Sequence, residues 1–179
     1  MNQGRVSVSY ARALLEWACE GNIADEVYAQ SEQLRVLVEK NPDFYQMLSS
    51  PMVSPAKKRD VASIVIGKFA PSLCKFILLI INKKREKFLN NIILVFQRLY
   101  RERFGIIRTN VECISELSTK AQEVIANYLA STFNKKVELM IRLNPDIIGG
   151  FVLIIEDQLL DKSVKGELEK LRKKLHGIE

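Results

Sequence analysis

The sequence predicts an α+β chain: an N-terminal six-helix bundle over residues 1–105, then a small C-terminal α/β domain with a mixed sheet over residues 106–179. Two observations predict it. Apolar residues recur at helical spacing as far as about residue 100 and alternate after Gly105. Proline, glycine and capping residues divide the chain into elements of ordinary length. Composition agrees, since 47 % of the residues are apolar and 27 % charged, enough for a packed core without disulfides or metals.

The elements follow in order. Val8, Ala11, Leu15 and Ala18 make one stripe of a first helix, and Tyr10, Leu14 and Trp17 a second. Gly21 and Asn22 end it. A second helix carries Ile23, Val27, Leu34, Leu37 and Val38. Asn41 reads as an N-cap before Pro42, opening a short third helix with Phe44, Tyr45 and Leu48. Residues 49–53 form a loop. Ser54-Pro55 repeats the cap-and-proline signal for a fourth helix with Val61, Ile64, Val65 and Phe69. Pro71-Ser72 opens a very apolar fifth helix to about Lys83. The sixth carries Leu89, Ile92, Ile93, Phe96, Leu99 and Tyr100.

Beyond Gly105 the period is two. Ile107, Thr109, Val111 and Cys113 fall on one face of a strand, with Arg108, Asn110 and Glu112 on the other. Thr119 and Gln122 have capping-box spacing for a helix to about Phe133. Val137, Leu139, Ile141 and Leu143 make a second strand, alternating with Lys136, Glu138 and Arg142. Gly149-Gly150 precedes an apolar strand from Phe151 to Ile155. Glu156-Asp157 turns the chain into a short Leu159-Leu160 strand. Ser163 caps a last helix whose stripe is Val164, Leu168, Leu171 and Leu175; Val164, Leu168 and Leu171 are expected to bury against the Phe151–Ile155 strand.

Chemistry is hard to find. His176 stands alone on a terminal helix, where a histidine is ordinarily solvated. Cys19, Cys74 and Cys113 each sit in an apolar pattern and read as reduced core residues. No histidine or cysteine cluster has metal-ligand spacing, and no glycine-rich phosphate loop occurs. Asp157 and Asp161 read as a turn residue and a helix-dipole partner rather than a carboxylate pair. No catalytic, cofactor-binding or metal-binding residue is expected. The most apolar run, Leu73 to Ile81, is far short of the roughly 20 residues that span a bilayer, and no secretory or organellar signal is visible.

The net charge of +6 permits an acidic partner, an anionic lipid or a nucleic acid. The basic clusters, Lys57-Lys58-Arg59 and Lys83-Lys84-Arg85-Lys87 among them, alternate with acids and lack interleaved aromatics, so they read as solvated helix faces. A small basic helical nucleic-acid-binding protein is the alternative function. The anomaly is apolar: the first helix has two stripes, and the fifth is apolar almost all round. Either one of them is the central core helix of the bundle, or the pair leaves a surplus groove for a partner helix.

Near the C-terminus stand Asn144-Pro145-Asp146-Ile147-Ile148-Gly149-Gly150-Phe151, then Asp157, then Asp161-Lys162-Ser163-Val164-Lys165-Gly166-Glu167-Leu168. This resembles the signature of the F-type ATP synthase delta subunit family, which includes the mitochondrial oligomycin sensitivity-conferring protein. Ser9-Tyr10-Ala11-Arg12-Ala13-Leu14, Ser50-Pro51, Lys57-Lys58-Arg59 and Gly105-Ile106 resemble other family marks in their order. The chain departs at Ser9, Lys84, Lys162 and Lys165, where arginine, glycine, glycine and arginine are usual. Lysine cannot supply arginine's bidentate fork.

The resemblance implies a non-catalytic stator subunit that ties the alpha/beta catalytic head to the b-subunit peripheral stalk and resists rotor torque. It implies that the first and fifth helices hold the N-terminal segment of an alpha subunit, through Tyr10, Ala13, Leu14, Trp17, Phe76, Leu79 and Ile80. The C-terminal domain would engage the C-terminal end of b, with Gly149, Gly150, Asp157, Asp161, Ser163, Val164 and Gly166 as its motif. No cofactor, nucleic acid or direct bilayer insertion is implied. The free subunit would be a monomer, held peripherally at the cytoplasmic face of a bacterial inner membrane through the complex.

Overall fold

In the computed structural model, which describes residues 3–155, 158–166, 168 and 172, six α-helices precede a four-stranded mixed sheet. The chain divides into two compact units, residues 1–102 and 103–179.

The first unit holds α1 (Gln3–Glu20), α2 (Ala24–Lys40), α3 (Pro42–Ser49), α4 (Pro55–Val65), α5 (Pro71–Asn82) and α6 (Leu89–Phe104), the last reaching into the second unit. A 3-10 turn, Glu86–Phe88, precedes α6. No strand occurs among the described residues between 8 and 100. Proline stands at the start of α3, α4 and α5, where its missing N–H is no loss. Asn22, in the left-handed region at φ 53°, turns the chain from α1 to α2.

The predicted caps divide. The Ser54 hydroxyl accepts the Lys57 N–H at 3.5 Å, as expected of a cap. Asn41 does not cap α3. Its amide donates instead to the Leu37 carbonyl, so it closes α2, because the last carbonyls of a helix compete for the same side chain. The α5 N-terminus has no local cap at Ala70. The Gln30 side chain of α2 accepts the Leu73 N–H at 2.9 Å and supplies one across the fold. Gln30 in turn donates to Glu26 at 2.7 Å, and Ser72 donates to the same carboxylate oxygen at 2.8 Å.

All six helices contribute buried apolar side chains, among them Leu14, Leu34, Leu48, Ala62, Ile77 and Phe96. Buried polar groups are partnered between helices: Gln97 donates to the Ser31 hydroxyl at 3.0 Å. Tyr28 and Tyr100 stack at 4.1 Å, and the Tyr100 hydroxyl donates to Asp25.

In the second unit, Gly105 at φ 62° turns the chain into β1 (Ile106–Cys113). Then come α7 (Thr119–Phe133), β2 (Lys136–Leu143), β3 (Gly150–Ile155) and β4 (Gln158–Ser163). The strand order is β2-β1-β3-β4; β1 and β2 run parallel, joined through α7, and the other pairs are antiparallel. Burial in β1 alternates as predicted, with Ile107, Thr109, Val111 and Cys113 inward. Ile107 and Val111 meet Leu153 and Ile155 of β3 and Leu129 of α7 in the core of this unit. The Thr109 hydroxyl is buried there with no hydrogen-bond partner among the described residues.

Three expectations are corrected here. The cap of α7 is Ser118, which accepts the Ala121 N–H; Gln122 reaches the Leu117 carbonyl, so the Thr119–Gln122 capping box is not formed. The fourth strand is longer than Leu159-Leu160, because pairing with β3 carries it to Ser163. Val164 and Leu168 do not bury against β3; they are 48 % and 60 % exposed. The ladder holds residue 163 at the sheet edge, and the chain is already helical at 164–166. Leu171 and Leu175 lie outside the described residues, as do Asp157 and His176.

Candidate functional site

Both over-apolar helices have a buried face and an outward apolar one. In α1, Ala11, Leu14, Leu15 and Ala18 are buried, while Tyr10 is half-buried and Ala13 and Trp17 are exposed. In α5, Leu73, Cys74, Ile77, Ile80 and Ile81 are buried, Phe76 is half-buried and Leu79 is 46 % exposed. Each helix therefore spends one face on the core and keeps a second apolar stripe outward. The Tyr10 and Phe76 rings join the stripes edge to face, with centroids 6.5 Å apart at 71°.

Five of the seven residues assigned to this face by resemblance, Tyr10, Ala13, Trp17, Phe76 and Leu79, share this outward position. Leu14 and Ile80 are 0 % exposed and form the floor beneath it. The outward stripe of α1 is thus Tyr10, Ala13 and Trp17, at spacings of three and four, and Leu14 belongs with Ala11 and Ala18.

The face holds no acid–base pair or nucleophile. What it can do is take apolar side chains out of water, with Ala13 small enough to admit a close backbone. Buried Cys74 has its thiol pushed above its ordinary pKa by desolvation, which keeps it protonated and unreactive. Among the described residues no group of three or more potential ligands could hold a metal ion.

The C-terminal motif is a set of interlocked contacts. Gly150 sits at φ 80°, and a Cβ there would fall 2.3 Å from the Lys162 carbonyl oxygen. Only glycine fits that conformation at that distance. The Gly149 carbonyl accepts the Val164 N–H at 2.9 Å. Asp161 accepts the Ser163 N–H at 2.8 Å, and the Ser163 hydroxyl accepts the Gly166 N–H at 3.0 Å, the predicted cap. A Cβ on Gly166 would stand 2.4 Å from the Asp161 carboxylate. Gly149, Gly150, Asp161, Ser163, Val164 and Gly166 are therefore brought together at one end of the β3–β4 hairpin. Their evident work is to set the exit of the last helix.

Two further groups went unrecognised in the sequence. Lys58, read as part of a solvated basic face, is 2 % exposed and pairs with Glu86. Gln30 holds the start of α5. Both carry a signal: each is a polar residue on an apolar helical stripe, Gln30 with Val27 and Leu34, Lys58 with Ala62. A polar group on a core face must have a partner. The other basic residues are partly taken up as well, Arg59 by Asn82 and Arg98 by Glu102.

The family described as ATP synthase delta (OSCP) subunit matches residues 6–175. The ATP synthase subunit delta of Carboxydothermus hydrogenoformans is 32 % identical over 172 residues, covering 96 % of this chain and 97 % of that protein. That of Rickettsia africae is 30 % identical over 180 residues, covering 99 % and 98 %. A chain in the cryo-EM structure of the Toxoplasma gondii mitochondrial ATP synthase hexamer superposes with a TM-score of 0.70 at 22 % identity, covering 98 % of this chain and 97 % of that one. That likeness shows a shared fold. The chain belongs to the ATP synthase delta (OSCP) subunit family and is a non-catalytic stator subunit of an F-type ATP synthase.

Proposed function

We propose that this stator subunit holds the N-terminal segment of an alpha subunit on the outward stripes of α1 and α5, and the C-terminal end of a b subunit on its second unit. The observation that carries the first contact is the apolar face of Tyr10, Ala13, Trp17, Phe76 and Leu79, resting on the buried Leu14 and Ile80. An amphipathic helix would lay its apolar side there, with Phe76 and Leu79 as anchors and Ala13 as the point of closest approach. Residues 1–105 would then serve the catalytic head and residues 106–179 the stalk. The exposed Ile148, Leu159, Val164 and Leu168 supply apolar surface in that second region. No helix of the described residues is long and apolar enough to cross a membrane. The subunit would be peripheral, held by the complex at the cytoplasmic face of a bacterial cell membrane.

Leu79→Glu tests the head contact. Leu79 is already 46 % exposed, so the variant is expected to fold. A charge in a site closed over by a partner costs several kcal/mol. Binding of an alpha N-terminal peptide to the full chain should weaken at least about tenfold, roughly 1.4 kcal/mol. A folded variant that binds the peptide unchanged would place the alpha contact elsewhere.

A further inference from the structure

The loop after α3, the start of α4 and the turn before α6 enclose a half-open pocket of ≈ 330 Å³, lined by Ser49, Pro51, Val53, Pro55, Lys58, Lys84, Glu86 and Lys87. Its lining shares no residue with the α1–α5 face. Three lysines stand against one carboxylate. Lys58 is 2 % exposed and pairs with one oxygen of Glu86; the other, Oε2, is buried and accepts no hydrogen bond among the described residues. A buried carboxylate oxygen without a donor is costly. Lys84 is held at φ 54°, a conformation that favours glycine over a residue with a long side chain. The fold thus keeps a cation at this pocket in spite of backbone strain, the pattern from which a role in binding is read.

A ligand that completes the pocket must bring acceptors for the lysines and one donor for Glu86 Oε2. We propose that the pocket binds hydrogen phosphate. Its P–OH would donate to Glu86 Oε2 while its anionic oxygens accept from Lys58, Lys84 and Lys87. Sulfate has the same shape and charge but no hydrogen, so it would meet the carboxylate oxygen lone pair to lone pair. A phosphomonoester dianion lacks the hydrogen too. A site built around a substrate hydroxyl rejects the analogue without it.

Isothermal titration of the full chain with inorganic phosphate and with sulfate, at matched ionic strength and pH 8, tests this. Phosphate should bind at least about tenfold more tightly than sulfate, and AMP, a dianion at that pH, should bind as weakly as sulfate. Lys84→Gly leaves the Lys58–Glu86 pair intact. It should weaken phosphate about threefold to fivefold, as for loss of one exposed cation, while the protein melts no lower because glycine relieves the φ. Glu86→Gln, which presents an amide N–H, should remove the preference for phosphate over sulfate; should that variant fail to fold, the three-ligand comparison and Lys84→Gly decide alone. No heat with millimolar phosphate, equal affinity for phosphate and sulfate, AMP as tight as phosphate, or unchanged phosphate affinity in Lys84→Gly would each overturn the proposal.

Discussion

The two units handle burial differently. In residues 1–102 side chains from six helices meet, and the polar groups on the inner faces, Gln30, Ser31, Gln97 and Lys58, each find a partner on another element. Among the described residues of 103–179 the main core cluster is Ile107, Val111, Leu129, Leu153 and Ile155, with Leu117, Ile125, Val137, Leu139 and Phe151 partly covered. Large apolar side chains stay exposed there, including Val124, Tyr128, Ile148, Leu159 and Leu168; among the described residues the Thr109 hydroxyl is buried without a partner, as Glu86 Oε2 is in the first unit. A small layered unit has too little interior to hide every apolar residue it carries. The lesson is that the same kind of residue means different things in the two places. An outward leucine on α5 is a second stripe on a fully packed helix, whereas an outward leucine after β4 is one of many in a unit with little core to offer.

The sharpest way to break this comparison is a matched pair of truncations. Ile77→Ala, at a fully buried site, should cost about 2–5 kcal/mol in a denaturant melt, and Leu168→Ala, at an exposed one, under about 0.5 kcal/mol. A large loss at Leu168 would mean that the last helix is packed after all. Gln30→Leu should cost about 1–3 kcal/mol, since it strips the Leu73 N–H of its acceptor and Glu26 of a donor. If it cost nothing, the Leu73 N–H would not depend on Gln30 as its acceptor. Ser163→Ala should cost about 1 kcal/mol by removing the acceptor of the Gly166 N–H, with Ser163→Thr recovering most of it. The smallest effect is expected at Thr109→Val, neutral or stabilising by up to about 1 kcal/mol, because a methyl replaces a hydroxyl that has no partner among the described residues. A clear destabilisation there would show that the hydroxyl is satisfied.

Element type and order were legible in the sequence because periodicity and punctuation are local. Proline at 42, 55 and 71 marked the starts of α3, α4 and α5, and the alternation from Ile107 to Cys113 marked β1 with the correct inward face. The surplus apolar stripe of α1 was visible too, though its membership was off by one position, with Leu14 in place of Ala13. A helical projection places neighbouring stripes only about 100° per residue apart, so a residue at the border of two stripes is assigned by what packs on it.

What only the tertiary structure decided was every choice between partners distant in the chain. Asn41 had two helix ends to serve and took the carbonyl of Leu37. The uncapped start of α5 was met by Gln30, 43 residues earlier. Lys58 left its basic neighbours for Glu86, 28 residues on, and so shaped the lysine-lined pocket. Whether Val164 and Leu168 face the sheet or solvent depended on where the β3–β4 ladder stops. Local sequence determines which hydrogen bonds and apolar faces a segment must satisfy, because those demands are set within a few residues; which distant group satisfies them is fixed by the fold, because it depends on what the packing of the other elements brings within reach.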